Sequence, residues 1–183
     1  MQSMDEEVEL EPGEVIEQRS LQDPCTAASN GDMISVLEWL KTYPDTNIDE
    51  MDNVNRHLLS EACFGGNREL VTHLLSLGAN PNVDCRESNY NTPLSVAVVM
   101  NDPVIVSLLL NHGANPGIPN FRGDTAYHHA VLIPDSLEML LLRRPPAHSV
   151  NIGNSVNETP LEVARELGIE RSYNILQWYL DHA

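Results

Sequence analysis

The sequence has few basic residues, few aromatic residues, little cysteine and no long apolar run. Of its 183 residues only 10 are Lys or Arg, against 27 Asp or Glu, so the formal net charge is −17. A surface this acidic repels phosphate groups, and we therefore expect no nucleic acid and no anionic membrane among its ligands. The charge instead favours protein partners with basic surfaces.

The lack of long apolar runs and the few cysteines argue against membrane-spanning, secreted and disulfide-rich proteins. No apolar run approaches the ~18 residues that a membrane span needs, and the first residues lack the basic and apolar regions of a secretory signal. We therefore expect an intracellular protein, cytoplasmic, nuclear or both. The three cysteines, Cys25, Cys63 and Cys85, are widely spaced and odd in number. This predicts reduced, mostly buried thiols rather than a disulfide framework or a zinc site.

A repeat of about 34 residues runs along the chain. It is marked by an alanine that recurs at positions 27, 62, 97, 130 and 164, and by Leu-Leu-Ser-Leu-Gly-Ala-Asn-Pro at 74–81 echoed by Leu-Leu-Asn-His-Gly-Ala-Asn-Pro at 109–116. Such a period indicates a solenoid in which each unit packs on the next. The units cover approximately residues 20–51, 52–84, 85–117, 118–152 and 153–183.

Each unit is predicted to contain two helices. Thr92-Pro93 and Thr159-Pro160 place a capping hydroxyl before a proline at the first helical position, where the missing N–H costs nothing. A more apolar second helix ends at Gly78 or Gly113, where glycine can take the left-handed conformation that closes a helix. The Asn-, Pro- and Gly-rich stretches between units predict turns. The sequence therefore predicts helix-turn-helix units joined by loops.

With these residues in view, the sequence resembles the ankyrin-repeat family, whose unit carries a T-P-L-H-x-A signature. Residues 91–97 (Asn-Thr-Pro-Leu-Ser-Val-Ala) and 159–164 (Thr-Pro-Leu-Glu-Val-Ala) match that signature closely, and residues 74–82 match the family's segment after the second helix. The resemblance implies an all-α ankyrin-type solenoid, with helix-turn-helix units joined by β-turn or hairpin loops. It also implies that His128, at the signature histidine position, makes structural hydrogen bonds.

Four units depart from the pattern. The second unit replaces the signature with His57-Leu58-Leu59-Ser60 and is, like the first, a degenerate start. The first unit has its cap at Asp23-Pro24, shifted by one residue, and we expect it to be an end cap. The fourth lacks a glycine between its helices, so we expect a second helix from Ser136 to Leu142 and a short, weakly coupled repeat. The last has no turn leading onward, which is typical of a terminal cap whose outer face meets water.

Residues 1–19 precede the repeat array, which covers 20–183. They contain seven acidic residues and a single basic one. Charge repulsion and the scarcity of aromatic residues favour a disordered tail, which could only solvate the protein or could dock on a basic partner.

The sequence shows little that could support catalysis. It contains no Gly-rich phosphate loop, no G-x-S-x-G and no H-E-x-x-H motif. His128 and His129 are adjacent, so on a helix their side chains point about 100° apart and cannot readily share a metal. Asp32, Asp102 and Asp135 fall near helix starts, where capping and the helix dipole explain them. We therefore expect no enzymatic activity, no cofactor and no metal.

Binding is expected at the loops that precede each first helix and on the exposed side of those helices, as the resemblance implies. The loop at 82–92 is two residues longer than its counterpart and carries Arg86 and Tyr90. The next loop offers Phe121 and Arg122, and the last offers Asn154. Tyr and Arg are common interface anchors.

These observations lead to one main hypothesis and three alternatives. The main hypothesis is a monomeric, non-enzymatic adaptor or scaffold that binds a protein partner through loop tips and the concave face. One alternative is a stoichiometric inhibitor or assembly chaperone that uses its acidic tail on a basic partner. Another is an accessory subunit with hydrolytic or metal-dependent activity involving His128 and His129. The last is an array with no specific partner.

Overall fold

The computed structural model describes residues 23–83 and 91–183. These residues form eleven α-helices and no extended strand beyond an isolated antiparallel bridge between Met51 and His57. The helices are α1 Pro24–Ser29, α2 Met33–Thr42, α3 Leu58–Phe64, α4 Arg68–Ser76, α5 Pro93–Val99, α6 Pro103–Asn111, α7 Ala126–Ala130, α8 Pro134–Leu141, α9 Ala147–Val150, α10 Pro160–Glu166 and α11 Glu170–His182.

The predicted helix caps are present except at Asp135, which lies inside the first turn of α8, caps no backbone N–H and pairs with Arg171 instead. Asp23 accepts a hydrogen bond from the backbone N–H of Thr26 at 2.9 Å, which starts α1. Thr92 and Thr159 cap α5 and α10, each directly before a proline. Asp102 likewise caps α6. Satisfying these backbone donors stabilises short helices that would not form alone.

The helices stack as two layers. The first helices of the units, α1, α3, α5, α7 and α10, contact one another in that order, and the second helices α4, α6, α8 and α11 form a parallel row behind them. Within each unit the two helices are joined by a short turn and run antiparallel. The protein is therefore an all-α solenoid, as predicted.

A continuous core fills the space between the layers. The five recurring alanines, Ala27, Ala62, Ala97, Ala130 and Ala164, are all completely buried. Their small side chains let the first helices approach closely. Larger fully buried side chains come from first helices at Leu94 and Tyr127 and, in greater number, from the second helices. Those from the second helices include Leu70, Leu74, Ile105, Leu109, Leu137, Leu140 and Leu176.

The fourth unit differs from its prediction at the second helix. α8 begins at Pro134, two residues before Ser136, and ends at Leu141. Proline is tolerated there because the first N–H groups of a helix have no partner inside it. A short helix that was not predicted, α9, follows it and buries Val150. The weak coupling of this repeat stays a prediction.

Several sequence expectations concern single residues. Gly78 and Gly113 have φ of +90° and +85°, which confirms the left-handed conformation. Cys25 and Cys63 are buried free thiols, as predicted, whereas Cys85 and the acidic segment 1–19 lie outside the described residues. In the part of the chain that the structure describes, each helix falls short of the length and apolarity of a membrane span.

Candidate protein-binding face

Three loops that precede first helices share one polar turn. Asp52, Asn120 and Asn154 occupy the same position, and the Oδ1 atom of each accepts hydrogen bonds from the backbone N–H groups two and four residues later, at 2.8 to 3.1 Å. Such side-chain bonds replace the bonds that a strand partner would make. We call the loops closed in this way fingers; they lie at residues 52–56, 120–124 and 154–158.

Each finger exposes apolar surface at its tip. Val54 and Val156 are 57% and 71% exposed, and Phe121 is 39% exposed. The guanidinium of Arg122 lies 5.1 Å from the centre of the Phe121 ring, within cation–π range. The fingertips therefore combine apolar contact area with a basic group.

Neighbouring fingers are fixed to each other. The backbone N–H of Ser155 donates to the carbonyl oxygen of Arg122 at 2.9 Å. The Nδ2 atom of Asn154 donates to Oδ1 of Asp124 at 3.0 Å. A Cβ at Gly123 would lie 2.7 Å from the Ser155 nitrogen, so the two fingers can pack this closely only with glycine there.

The binding residues predicted from the sequence differ in whether their side chains are exposed or already hydrogen-bonded within the protein. Phe121 and Arg122 lie side by side on an exposed tip. The amide of Asn154 is engaged by its own finger and by Asp124. Arg86 and Tyr90 fall outside the described residues. A binding role for these five residues stays a prediction.

A second exposed surface was not predicted from the sequence. We call it the apolar row; it lies at the ends of first helices, in the turns that lead to the second helices, and it runs through four successive units. Its members are Phe64 at 53%, Val99 at 51%, Met100 at 44%, Leu132 at 66% and Leu167 at 57% exposed.

The register of the repeat explains where the row lies. Phe64, Val99 and Leu132 each come two residues after the buried alanine of their unit, and Met100 and Leu167 come three residues after it. Within a helix, a residue two positions further along is turned by about 200°, so burial of the alanine exposes Phe64 and Val99. The other three members lie in the turns directly after their helices end. The sequence does show apolar residues at these positions, but the repeat pattern led us to assign every apolar residue to the core.

His128 and His129 have different environments. The Nδ1 atom of His128 accepts a hydrogen bond from the backbone N–H of Thr125 at 3.0 Å. Its Nε2 atom therefore carries the proton and donates it to the carbonyl oxygen of Glu158 at 2.9 Å. Both nitrogens are used, which matches the structural role implied by the resemblance. Burial lowers the pKa of both His128 and His129.

One group of side chains has the spacing of a metal site. The ligand atoms of Asp23, Cys25 and Asp52 all lie within 4.8 Å of one another. Arg56 bonds to both carboxylates, with Nε donating to Asp52 at 2.7 Å and Nη2 bonded to Asp23. Burial, together with the charges of both aspartates, raises the pKa of the Cys25 thiol to about 12. The cluster is therefore a partly exposed set of two ion pairs that joins the first finger to α1.

Comparison with known proteins matches most of the array to one family. A family model described as ankyrin repeats in three copies matches residues 25–120 and, overlapping them, residues 59–149. The ankyrin repeat protein FPV031 of fowlpox virus (strain NVSL) is 31% identical over 160 residues, which cover 85% of this chain and 46% of the viral protein. The family that the sequence resembles is therefore confirmed.

Two further relatives cover shorter stretches. An ankyrin repeat-containing protein of Treponema pallidum (strain Nichols) is 44% identical over 77 residues, 42% of this chain and 25% of that protein. The cyclin-dependent kinase inhibitor 2A of Monodelphis domestica is 29% identical over 110 residues, 60% of this chain and 63% of the inhibitor. The chain spans less than two thirds of the length of each of these relatives.

Proposed function

Because the chain belongs to the ankyrin-repeat family, we propose that it is a non-enzymatic adaptor or scaffold that binds a protein partner through the apolar row. Ankyrin repeats generally mediate protein–protein interaction. The observation that supports this choice of surface is the recurrence of half-exposed apolar side chains two or three residues after the buried alanine in four successive units.

The apolar row has the properties of an interface. Soluble proteins rarely expose contiguous apolar surface without a binding role. Covering the exposed half of each side chain contributes on the order of 1 kcal/mol, since burying a whole one contributes ~1.5–3 kcal/mol. Five such residues along one line can therefore hold an apolar segment that crosses several units.

Charge sets the second requirement on the partner. The chain carries a net charge of −17, so a partner with basic residues around its apolar contacts is attracted at long range and associates faster. The exposed fingertips, with Phe121 and Arg122, add a second contact area at the other end of the first helices. The partner we propose is therefore a protein segment that is apolar along its contact line and basic at its edges.

A second candidate is a stoichiometric inhibitor that acts by occupying its partner. It is supported by the similarity to the cyclin-dependent kinase inhibitor 2A of Monodelphis domestica, which covers 63% of that protein. An inhibitor and an adaptor use the same binding face, and they differ in what the bound partner can still do. Once a partner is identified, its activity in the presence of one equivalent of this protein separates the two.

Three full-length baits test the proposed surface in lysate from the source cell. The row variant carries Phe64→Ser, Val99→Ser and Leu132→Ser. The control variant carries Ile34→Ser and Val104→Ser in second helices and Leu77→Ser at the C-cap of α4. The three apolar side chains are 71%, 43% and 53% exposed, respectively. Circular dichroism first establishes that all three baits have the same helix content.

The expected result is a protein that the unchanged chain and the control variant retain in stoichiometric amount and the row variant loses. Retention by all three baits would show that the row is not the binding face. A fourth bait with Phe121→Ala and Arg122→Ala would then test whether the fingertip binds the partner. Failure of every bait to retain a protein stoichiometrically would contradict the adaptor proposal.

A further inference from the structure

A groove lies between the second helices of the last two units, and it shares no residue with the apolar row. Leu141, Leu142 and Arg144 line it from α8 and the turn after it, and Ile175, Trp178 and Tyr179 line it from α11; its cavity is about 580 Å³. A neighbouring cavity of about 420 Å³ continues past Arg144 and Trp178 to His182. We call the two together the C-terminal groove.

The groove offers a large apolar surface. Leu142 is 78% exposed and Trp178 is 64% exposed. The Trp178 ring stacks on the His182 ring with their centres 4.8 Å apart, and the Tyr179 hydroxyl donates to the carbonyl oxygen of Pro145. These contacts hold the two aromatic rings in place while leaving the groove open.

The groove also contains an unpaired cation. Arg144 makes no side-chain hydrogen bond and no ion pair with any residue in the described ranges. The other charged residue of the lining, Glu138, is already bonded to Arg171 at 3.0 Å. The groove therefore fits a segment that alternates apolar and acidic side chains.

We propose that the C-terminal groove binds the segment Val8-Glu9-Leu10-Glu11 of this same chain. In an extended segment successive side chains point to opposite sides, so Val8 and Leu10 can face Trp178 and Leu142 together. The carboxylates of Glu9 and Glu11 then lie along the groove edge, where one of them pairs with Arg144. Seven of the chain's acidic residues are in this N-terminal region, which gives the charge complementarity.

The length of chain before the first helix permits this contact. Leu10 is 13 residues from Asp23, and 13 extended residues span about 43–47 Å. Four steps of packed helices at ~8–10 Å each separate the first unit from the last, or about 32–40 Å. Because paired helices run antiparallel, the start of α1 and the ends of α8 and α11 lie at the same edge of the solenoid.

A second acidic and apolar run provides a matched control. Glu14-Val15-Ile16-Glu17, like the proposed segment, has two glutamates and two aliphatic residues. Ile16 is only seven residues from Asp23, and seven residues span about 25 Å at most, too short for the distance. Within one molecule, only the run at residues 8–11 reaches the groove.

The test uses Trp178 as the reporter in the full chain with Trp39→Phe, which leaves a single tryptophan. Three proteins are compared: this background, the background with Val8→Ser and Leu10→Ser, and the background with Val15→Ser and Ile16→Ser. Acrylamide quenching measures the accessibility of the indole. All four substituted positions precede the first described helix, and circular dichroism checks that the fold is unchanged.

The expected result is a larger quenching constant and red-shifted emission for the variant at positions 8 and 10 only. Arg144→Gln should produce part of the same change. A synthetic peptide of residues 1–22 should displace the native segment only at about millimolar concentration, because a tethered segment has an effective concentration of that order.

Two results would overturn the proposal. Equal quenching in all three proteins would mean that the segment does not cover Trp178. Quenching that falls as the protein concentration rises would mean that a second copy of the chain, not the same molecule, occupies the groove.

Discussion

The central units and the last unit use the same repeat but bury very different amounts of apolar surface. α4 and α6 have nine residues each and bury four side chains apiece, whereas α11 has thirteen residues and buries only Ser172 and Leu176. Among the second helices, α6 packs against α4 on one side and α8 on the other, whereas α11 packs against α8 alone. A repeat thus gains much of its stability from its neighbours rather than from its own sequence.

The largest expected loss of stability comes from truncating a core side chain, compared between a central unit and the last unit. Leu109→Ala should lower the free energy of unfolding by about 3–4 kcal/mol, because the packed centre cannot collapse around the cavity. Leu176→Ala, although Leu176 is also fully buried, should cost about 2 kcal/mol, since the end of the solenoid can relax. Urea denaturation followed by circular dichroism measures both, and equal costs would contradict the comparison.

The joint between the fourth and fifth units should be weakened next by His128→Ala. The substitution leaves the backbone N–H of Thr125 and the carbonyl oxygen of Glu158 without their partner, at a cost of about 2 kcal/mol. Urea denaturation at pH 7.5 measures this loss. A cost below about 0.5 kcal/mol would show that these bonds do not hold the joint.

The same histidine should make stability depend on pH. Burial lowers the pKa of His128 and His129 in the folded state, so the unfolded chain binds protons first as pH falls below ~6.5. Stability should therefore be highest above pH 6.5 and fall as the solution is acidified, by up to about 1.4 kcal/mol per pH unit for each histidine. The slope between pH 6.5 and 4.5 should be smaller in His128→Ala, and an unchanged slope would assign it to other groups.

At the opposite end, Arg56→Met tests the ion pairs that join the first finger to α1. Hydrogen bonds from Thr26 and the charge of Arg56 hold the pKa of Asp23 below its usual value, although burial alone would raise it. Asp23 is well exposed, so solvent screens the pair and the expected cost is about 1 kcal/mol. Adding salt should reduce the difference from the unchanged chain. A salt-independent cost would point to packing of the arginine stem instead.

The smallest change in the free energy of unfolding is expected for substitutions in the apolar row, which is the surface proposed to bind the partner. Leu132→Ser in the apolar row should change the free energy of unfolding by no more than about 0.5 kcal/mol, because the side chain is 66% exposed. Thermal unfolding beside the matched control Ile34→Ser measures this. A loss as large as that of Leu176→Ala would mean that the row supports the fold instead of serving binding.

Most of the fold could be predicted from the sequence because its signals are local and repeated. Thr-Pro starts, buried alanines and closing glycines recur in register, and each acts within a single helix or turn. The start of α8 and the presence of α9 could not be predicted in this way. Pro134 can begin a helix or interrupt one, and only packing of Leu137 and Leu140 against the neighbouring units decides between the two.

The candidate site was less predictable, since exposure depends on how units stack. Phe121 and Asn154 were both predicted from their loops, and the structure places Phe121 on an exposed tip while the Asn154 amide closes a finger. The apolar row consists of residues that look like core in any single unit. Their exposure emerges only when the five alanines are placed on the buried side of successive helices.

The most direct test of the binding face is site-specific photo-crosslinking in cells. A benzoylphenylalanine is placed in the full chain at Val99 or at Leu132 in the apolar row, and at Ile34 or at Leu77 as controls of comparable exposure. One defined protein adduct is expected from each row position and none from the control positions. An adduct formed at Ile34 or Leu77, with none at Val99 or Leu132, would contradict the proposed binding face.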